Sequence, residues 1–299
     1  MFWTEQWLFR QPYPHLWYNQ SVEKNHNILV VNDDGISALG IHKLAEALSE
    51  VGNVYVCSPL NQQSASGHGI SIRRPVYIED AEFAEAEQAL SIEGTPADCV
   101  KLGLEVFRNR GIQMHMVFSG FNHGMNLGTD TLYSGTVAAA IEGALMGLPA
   151  AAMSVSSKDA FHHHPDNFEA AMGLAKKIAV SDLFLKKIAE GRKELDINFI
   201  HENHVILNVN IPDLTPSEIK GIKVCPLSYR VYEERFHERD DGQGRFGYYY
   251  TGKPLAIGEA NPDDSDIIAN VLGYITITPL HFDLTERHMI EALQEVWNE

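Results

Sequence analysis

The sequence predicts an α/β fold in which a mostly parallel sheet carries helices on both faces. Short apolar runs of strand length alternate with amphipathic segments of helix length between residues 27 and 188, as is typical of parallel sheets with crossover helices. The first run, residues 28–31 (ILVV), is apolar throughout. Such a run is expected of a strand that is buried on both faces.

The core elements follow from this pattern in chain order. Strands are predicted where apolar runs end in polar residues or glycine, over residues 28–31, 54–56, 114–119 and 150–155. Helices are predicted where apolar residues share one side, around residues 41–48, 97–107, 134–146 and 168–188. Residues 64–71 and 120–128 are rich in glycine or serine and are expected to be loops.

The pattern changes after about residue 200, where a smaller C-terminal part is predicted. It contains strands over residues 204–211, 223–227 and 273–278, a hairpin over about 228–253 and a terminal helix over 286–297. An isolated hairpin is marginally stable in water, so we expect it to pack on another subunit. The chain is therefore divided into an aromatic-rich extension (1–24), a core (25–200) and a C-terminal part for oligomerisation (201–299).

The composition excludes several classes of protein. The 299 residues include 23 Lys and Arg against 40 Asp and Glu, a net charge of −17, which repels nucleic-acid backbones and anionic membranes. No run approaches the roughly 18 apolar residues of a transmembrane helix. Three widely spaced cysteines form no CxxC motif, which favours a reducing cytoplasm. We expect neither a nucleic-acid nor a membrane partner.

The sharpest candidate for chemistry is the pair Asp33-Asp34, which directly follows the first strand. Two neighbouring buried carboxylates repel each other unless a cation lies between them. Oxygen ligands of this kind favour Mg²⁺, Mn²⁺ or Ca²⁺ over zinc. The alternative is that one aspartate caps the following helix, with Gly35 providing the turn.

Two further polar clusters come after later strands of the predicted sheet. Ser64 lies in residues 61–69 (NQQSASGHG), and Asn122 and Asn126 lie in residues 119–128 (SGFNHGMNLG). Ligands of open α/β sheets bind beyond the carboxyl ends of the strands, which is where these clusters are expected. Each has a plainer alternative, a surface loop for the first and tight turns for the second.

A helix N-terminus supplies a candidate anion site. Ser134-Gly135-Thr136 opens a helix of small residues, and the unpaired N–H groups and the helix dipole there favour a phosphate group. The alternative is that Ser134 is an ordinary cap. His68 and His123 could transfer protons, or they could be exposed or structural histidines.

Together these clusters describe an oxygen-ligand metal that faces a phosphate-binding helix end, which is a coherent phosphomonoesterase. Two nucleotide-binding motifs are absent, because no GxGxxG follows the first strand and no GxxxxGKS or GxxxxGKT occurs.

Five segments in order resemble the SurE family of stationary-phase survival proteins. They are residues 28–35 (ILVVNDDG), 93–99 (EGTPADC), 119–128 (SGFNHGMNLG), 133–143 (YSGTVAAAIEG) and 277–285 (ITPLHFDLT). The resemblance implies a Rossmann-like core, a C-terminal part that exchanges elements in a homodimer or homotetramer, and a metal-dependent 5′/3′-nucleotidase. Its substrates would be nucleoside monophosphates, and some members also act on short polyphosphate.

The resemblance also implies roles for individual residues. The metal ligands for Mg²⁺ or Mn²⁺ would be Asp33, Asp34, Ser64 and Asn122. Asp33 and Asp34 would also be the catalytic residues, with one carboxylate of the pair assisting as base, and we assign Asp34 to that role. The phosphate-binding residues would be Ser134, Gly135, Thr136 and Asn126.

Two features depart from the family pattern. Family members usually have glycine directly after the ligand serine, whereas this chain has Ala65, so Ser66 is a rival to Ser64. The aromatic extension over residues 1–24 is also outside the pattern.

Two other functions compete with this interpretation. A phosphatase of the haloacid-dehalogenase type needs a nucleophilic aspartate two residues before a second one, but Asn32 stands two before Asp34 and cannot form an acyl phosphate. A non-enzymatic nucleotide or metal sensor on the same fold stays open, because a fold does not fix a function.

Overall fold

The computed structural model describes residues 24–157, 165, 167–189, 205–233, 235–250 and 264–297. All of the predicted extension except Lys24 lies outside the described residues. The strands are β1 (Asn27–Val31), β2 (Asn53–Pro59), β3 (Ile78–Ala81), β4 (Gln88–Ile92), β5 (Met116–His123), β6 (Ala150–Val155), β7 (Ile206–Ile211), β8 (Ile222–Val224), β9 (Phe236–Asp240), β10 (Phe246–Tyr250) and β11 (Ile275–Leu280). The helices are α1 (Leu39–Ser49), α2 (Pro96–Asn109), α3 (Gly135–Leu145), α4 (Glu169–Ala179), α5 (Asp182–Ala189), α6 (Asp266–Val271) and α7 (Arg287–Trp297), with a 3-10 helix at Gly128–Leu132.

Nine of these strands form one sheet in the order β3-β4-β2-β1-β5-β6-β7-β11-β8. The six strands from β4 to β7 in this order are parallel, while β3 and β11 each run antiparallel to an inner neighbour. β9 and β10 pair separately as an antiparallel hairpin. The predicted α/β fold with a mostly parallel sheet is confirmed.

The sheet buries a core on each face. α1 and α4 cover one face, and α2 and α3 cover the other. The predicted inward face of α1 is confirmed, since Ile41, Leu44 and Leu48 are fully buried. Burying three such side chains contributes about 5–9 kcal/mol against exposure. Gly40 is required where α1 meets β5, because a Cβ there would lie 2.0 Å from the Phe121 carbonyl oxygen.

Several predicted boundaries are wrong. β5 continues through His123 with a register shift after Ser119, so Asn122 lies on the end of a strand rather than in a loop. The helical region predicted over 168–188 is divided into α4 and α5. The short strands β3 and β4 and the short helix α6 were not predicted, because too few residues carry their pattern.

The C-terminal part extends the main sheet. β7, β8 and β11 all lie beyond residue 200 and continue the sheet from β6. The division of the chain at residue 200 stays a prediction. The hairpin predicted over 228–253 contains β9 and β10, and its last residues lie outside the described ones. No helix in the described part of the chain is long and apolar enough to cross a membrane.

Candidate active site

The turn after β1 is held by Asn32, which is fully buried. Its amide donates to the Gly35 carbonyl oxygen at 2.9 Å and accepts from the Ser58 hydroxyl. Gly35 has a φ of +97°, which side chains with a Cβ rarely adopt. These bonds bend the chain sharply at the carboxyl edge of the sheet and leave the two following carboxylates at that edge.

The capping alternative for the Asp33-Asp34 pair is wrong. α1 begins at Leu39, its N-cap is Ala38, and no side chain caps it. The two carboxylates are therefore not used to start the helix that follows them.

Asp33 is the buried member of the pair, with 4% of its surface exposed. Its Oδ1 accepts a hydrogen bond from the Thr136 hydroxyl at 2.6 Å. Burial, and then the adjacent charge of Asp34, raise the pKa of Asp33 to about 7, against the opposing effect of the Thr136 bond. A cation beside the pair would relieve both costs.

Asp34 is less buried and faces two other parts of the chain. Its Oδ2 accepts from the main-chain N–H of His123 at 2.9 Å, which brings the end of β5 to the pair. Its Oδ1 lies 3.3 Å from Gln62 Nε2, and the same nitrogen donates to Ser64 Oγ at 2.9 Å. Gln62 therefore joins a predicted carboxylate ligand to the predicted serine ligand.

The two rival serines occupy different places. Ser64 is exposed and lies on the Asp34 side through Gln62. The Ser66 hydroxyl is buried, has no hydrogen-bond partner among the described residues, and lies 2.9 Å from where a Cβ on Gly135 would stand. Between them, Ala65 has a φ of +57° and is the only non-glycine residue in the described ranges with positive φ.

Asn122 presents its side chain at the end of β5, next to the residue whose N–H binds Asp34. Its Nδ2 donates to the Gly124 carbonyl oxygen at 2.7 Å. Because the amide nitrogen of Asn122 donates to this main-chain carbonyl oxygen, the amide oxygen of Asn122 is the atom that a cation would contact. Asp33 and Asp34 follow β1, Ser64 lies in the loop after β2, and Asn122 is at the end of β5, so the four residues come from three neighbouring strands of the sheet.

The start of α3 packs directly on Asp33. Ser134 is the N-cap, and its hydroxyl accepts from the Val137 N–H at 3.1 Å, so the ordinary capping role is confirmed. A Cβ on Gly135 would lie 2.9 Å from Asp33 Cβ. Both the hydroxyl and the main-chain N–H of Thr136 act on Asp33, and the Val137 N–H is used by Ser134, which leaves the Gly135 N–H as the candidate phosphate donor at this helix end.

Asn126 lies above the sheet with 7% of its surface exposed. Its Nδ2 donates to Ser154 Oγ at 2.8 Å, and its main-chain N–H donates to Asn210 Oδ1 at 2.8 Å. Of the two candidate histidines, His68 has a structural contact. Its Nε2 lies 2.9 Å from Glu142 Oε1.

Glu142 is a buried carboxylate on α3 that anchors the loop after Ser64. Besides His68, it has Lys101 Nζ 2.8 Å from its Oε2. Burial alone would raise the pKa of Glu142, but the His68 and Lys101 contacts outweigh it and lower that pKa. The described residues contain no group of three or more His, Cys, Asp or Glu side chains that could hold a metal. A metal here depends on two carboxylates plus hydroxyl and amide oxygens.

The model of the family described as "Survival protein SurE" matches residues 28–234, well over half of the chain. The chain belongs to the SurE family. Two curated relatives carry the name "5'-nucleotidase SurE". The one from Alkaliphilus metalliredigens is 39% identical over 90% of this chain and 98% of its own length, and the one from Pelotomaculum thermopropionicum is 40% identical over 90% and 94%.

A solved SurE structure supports the same assignment. The crystal structure of the SurE protein from Aquifex aeolicus is 33% identical, covers 90% of this chain and 99% of that one, and has a TM-score of 0.66. The resemblance drawn from the five sequence segments is therefore confirmed, as is the SurE-like α/β fold.

Sequence reasoning missed three residues that contact this SurE site. Gln62 bridges Asp34 and Ser64, and Asn208 and Asn210 contact Asn126. The last two carry a sequence signal, because asparagines alternate with apolar residues on the strand predicted over residues 204–211. Both are fully buried.

Proposed function

We propose that the chain is a metal-dependent phosphomonoesterase, a 5′-nucleotidase that releases inorganic phosphate from nucleoside monophosphates. The observation that carries this proposal is the buried Asp33 carboxylate, which packs beneath the start of α3 and is followed directly by a second carboxylate. An acidic pair at a strand end and a phosphate-binding helix end belong to one site. The names of the relatives support the same activity.

The residues present suit a hard divalent cation, Mg²⁺ or Mn²⁺. We assign Asp33, Asp34, Ser64 and Asn122 as its ligands, because two carboxylates, a hydroxyl and an amide oxygen form a donor set typical of these ions. A bound cation supplies charge stabilisation and activates water for attack on phosphorus. The raised pKa of Asp33 supports the fit, since burial of this charge beside Asp34 is costly without a cation.

The other side chains orient these ligands. Thr136 fixes one oxygen of Asp33, and the His123 N–H fixes one oxygen of Asp34. Asp34 is the more accessible carboxylate, so we assign it as the group that accepts the proton of the attacking water. Gln62 restrains the Ser64 hydroxyl on the same side.

Phosphate would bind at the start of α3 through Ser134, Gly135 and Thr136, with Asn126 beside them. Gly135 contributes its main-chain N–H at the positive end of the helix dipole, and Thr136, whose hydroxyl and N–H both act on Asp33, fixes this helix end against the acidic pair. The lack of a Cβ on Gly135 lets this helix end pack closely on Asp33 and Ser66, which keeps the helix N-terminus next to the acidic pair.

The serine assignment has its own test. Ser64→Ala is expected to raise the metal concentration needed for half-maximal stabilisation about tenfold, as loss of one ligand requires, whereas Ser66→Ala leaves it unchanged. If Ser66→Ala shifts the metal midpoint and Ser64→Ala does not, the two roles are reversed.

The activity is tested by phosphate release from a panel of 5′- and 3′-nucleoside monophosphates and short polyphosphate, after EDTA treatment and after addition of Mg²⁺ or Mn²⁺. We expect the wild type to release phosphate from 5′-nucleotides only when a metal is present. The Asp34→Asn variant should release none, because it keeps the size of the side chain but removes one charge. Release that survives EDTA or this substitution contradicts the mechanism. No release with any metal favours the non-enzymatic sensor.

We also infer a homo-oligomer, a dimer or a tetramer, in the cytoplasm. α7 exposes a row of apolar side chains that includes Met289, Leu293 and Trp297, and the β9–β10 hairpin exposes its aromatic residues. Exposed apolar surface of this extent is typical of interfaces. The three cysteines are buried and unpaired, which supports a reducing compartment. Light scattering on the purified chain measures the oligomeric state, and a monomer contradicts the inference.

A further inference from the structure

The main chain of Asn126 is bound by side chains of a strand that lies more than eighty residues later in the chain. We propose that Asn208 and Asn210 of β7 are positioning residues that hold Asn126 in its phosphate-binding orientation. This inference rests on the proposed function, in which Asn126 contacts the phosphate.

Asn210 pairs with Asn126 in both directions. Its Oδ1 accepts from the Asn126 main-chain N–H at 2.8 Å, and its Nδ2 donates to the Asn126 carbonyl oxygen at 3.1 Å. Asn208 Nδ2 donates to the same carbonyl oxygen at 2.9 Å. The two side chains therefore satisfy both main-chain polar groups of Asn126, as a neighbouring strand would do.

Ser154 fixes the side chain of Asn126 in turn. The Asn126 amide donates one N–H to Ser154 Oγ at 2.8 Å. An amide nitrogen carries two N–H groups, so the second N–H has its direction set by the first bond. A donor that is fixed before the ligand arrives loses little side-chain entropy on binding.

Burial of the Asn208 and Asn210 amides costs free energy that the stability of the fold does not explain. Asn208 and Asn210 lie on an inner strand, are fully buried, and are in register with Ala152 and Ser154 of β6. A buried amide costs free energy unless it is hydrogen-bonded, and Asn208 Oδ1 has no partner among the described residues. Apolar side chains would complete this layer of the sheet more cheaply, so the asparagines are best explained by the loop they bind.

The same loop is held again two residues later. The Gly128 N–H donates to Asp266 Oδ2 at 2.7 Å, and the other oxygen of Asp266 accepts from the Ser228 N–H at 2.9 Å. Residues beyond position 200 thus fix the loop that leads from Asn126 to Ser134. The C-terminal part contributes to the geometry of the phosphate site as well as extending the sheet.

The test measures binding of inorganic phosphate by calorimetry to the magnesium-loaded protein, together with KM, kcat and the magnesium midpoint. Asn210→Leu is nearly isosteric and adds no charge; it is expected to raise the phosphate Kd and the KM about tenfold, the worth of one or two hydrogen bonds. Asn208→Leu leaves Asn210 as a donor to the Asn126 carbonyl oxygen. It is therefore expected to raise the phosphate Kd and the KM only about threefold.

Thr276→Val is the matched control. Thr276 lies opposite Asn210 in register on β11, is fully buried, and its hydroxyl has no hydrogen-bond partner among the described residues. This variant is expected to leave the phosphate Kd unchanged. In all three variants the magnesium midpoint should stay within about twofold, because Asn126 is not a metal ligand in this assignment.

An unchanged phosphate Kd in folded Asn210→Leu overturns the proposal. A phosphate Kd that rises in Thr276→Val as much as in Asn210→Leu also overturns it. If Asn210→Leu does not fold, Ser154→Ala decides, with an expected rise of about threefold in the phosphate Kd and an unchanged value counting against the proposal. A wild-type chain that binds phosphate but releases none from nucleotides refutes the proposed activity, while the calorimetric comparison still tests the role of the asparagines.

Discussion

Replacing Asp33 by asparagine should abolish activity and at the same time stabilise the metal-free protein. The pKa of Asp33 rises from 3.8 to about 7 because of burial and the charge of Asp34. A pKa raised from 3.8 to about 7 corresponds to about 4 kcal/mol of destabilisation when Asp33 is ionised in the folded protein. Asp33→Asn removes this charge but weakens the bond from Thr136, so we expect a net gain of about 1–3 kcal/mol at pH 8.

The destabilisation caused by ionised Asp33 depends on pH in a direction that follows from its raised pKa. A raised folded-state pKa means that the folded state holds its proton between pH 4 and pH 7 while the unfolded state has lost it. The cost of Asp33 is therefore absent below about pH 4 and grows as the pH rises to about 7. The advantage of Asp33→Asn should shrink accordingly between pH 8 and pH 4.

Thermal denaturation in EDTA measures the effect, and the expected increase in Tm is about 2–6 °C at pH 8. Asp98→Asn is the matched control. Burial raises the pKa of Asp98, but the bonds from Ser71 and Thr95 outweigh it and lower that pKa, so loss of this charge should destabilise the fold. Magnesium should raise the Tm of the wild type and not that of Asp33→Asn. A metal-free Asp33→Asn protein that is less stable than the wild type at pH 8 refutes this reasoning.

Three further predictions concern the loops around the site. Ala65→Gly should stabilise the fold by about 0.5–1 kcal/mol in urea denaturation, because glycine adopts the positive φ of this position without strain; a loss of stability would show that the loop differs from this description. Gly135→Ala should weaken phosphate binding at least about tenfold, since the new Cβ would stand 2.9 Å from Asp33 Cβ; calorimetric binding equal to wild type contradicts the role of this helix end. Glu142→Gln should flatten the loss of stability on acidification, because the lowered pKa of Glu142 stabilises the fold above about pH 4.5 and this contribution disappears as the pH falls; parallel pH–stability curves for the two proteins would count against the contact between Glu142 and His68.

The sequence predicts the elements whose signals are local. β1 is a short apolar run, rich in β-branched residues, that ends in Asn-Asp-Asp-Gly, and its length and flanking residues favour a buried strand followed by a tight turn. The place of the acidic pair follows from it, since parallel strands present their carboxyl ends at one edge. Ser64 follows β2 and Asn122 lies at the end of β5, and the contacts of Gln62 and of the His123 N–H with Asp34 connect both segments to the acidic pair.

Other features depend on contacts between distant segments and are not visible in a local pattern. The Thr136 hydroxyl donates to Asp33, which is 103 residues away in the chain. The sequence alone predicts this hydroxyl as a phosphate donor, because it does not show that the helix end packs on Asp33. Asn208 and Asn210 look like the polar side of a half-exposed strand, because alternation does not reveal that the loop at Asn126 binds both side chains and that both are buried. The end of β5 beyond residue 119 is predicted as a loop, because glycine is typical of loops. Gly120 instead stays in the strand and lets β5 approach Met153 on β6.

The assignment of the acidic pair as a metal centre is tested most directly by counting bound Mn²⁺. Electron paramagnetic resonance titration of the metal-free chain should give one Mn²⁺ per chain in the wild type. Asp34→Asn should lose this site because it removes one of the two ligand charges. Asn122→Ala and Ser64→Ala should weaken it because each removes one neutral oxygen ligand. Undiminished binding of one Mn²⁺ per chain in Asp34→Asn would place the metal elsewhere and contradict the site described by Asp33, Asp34, Ser64 and Asn122.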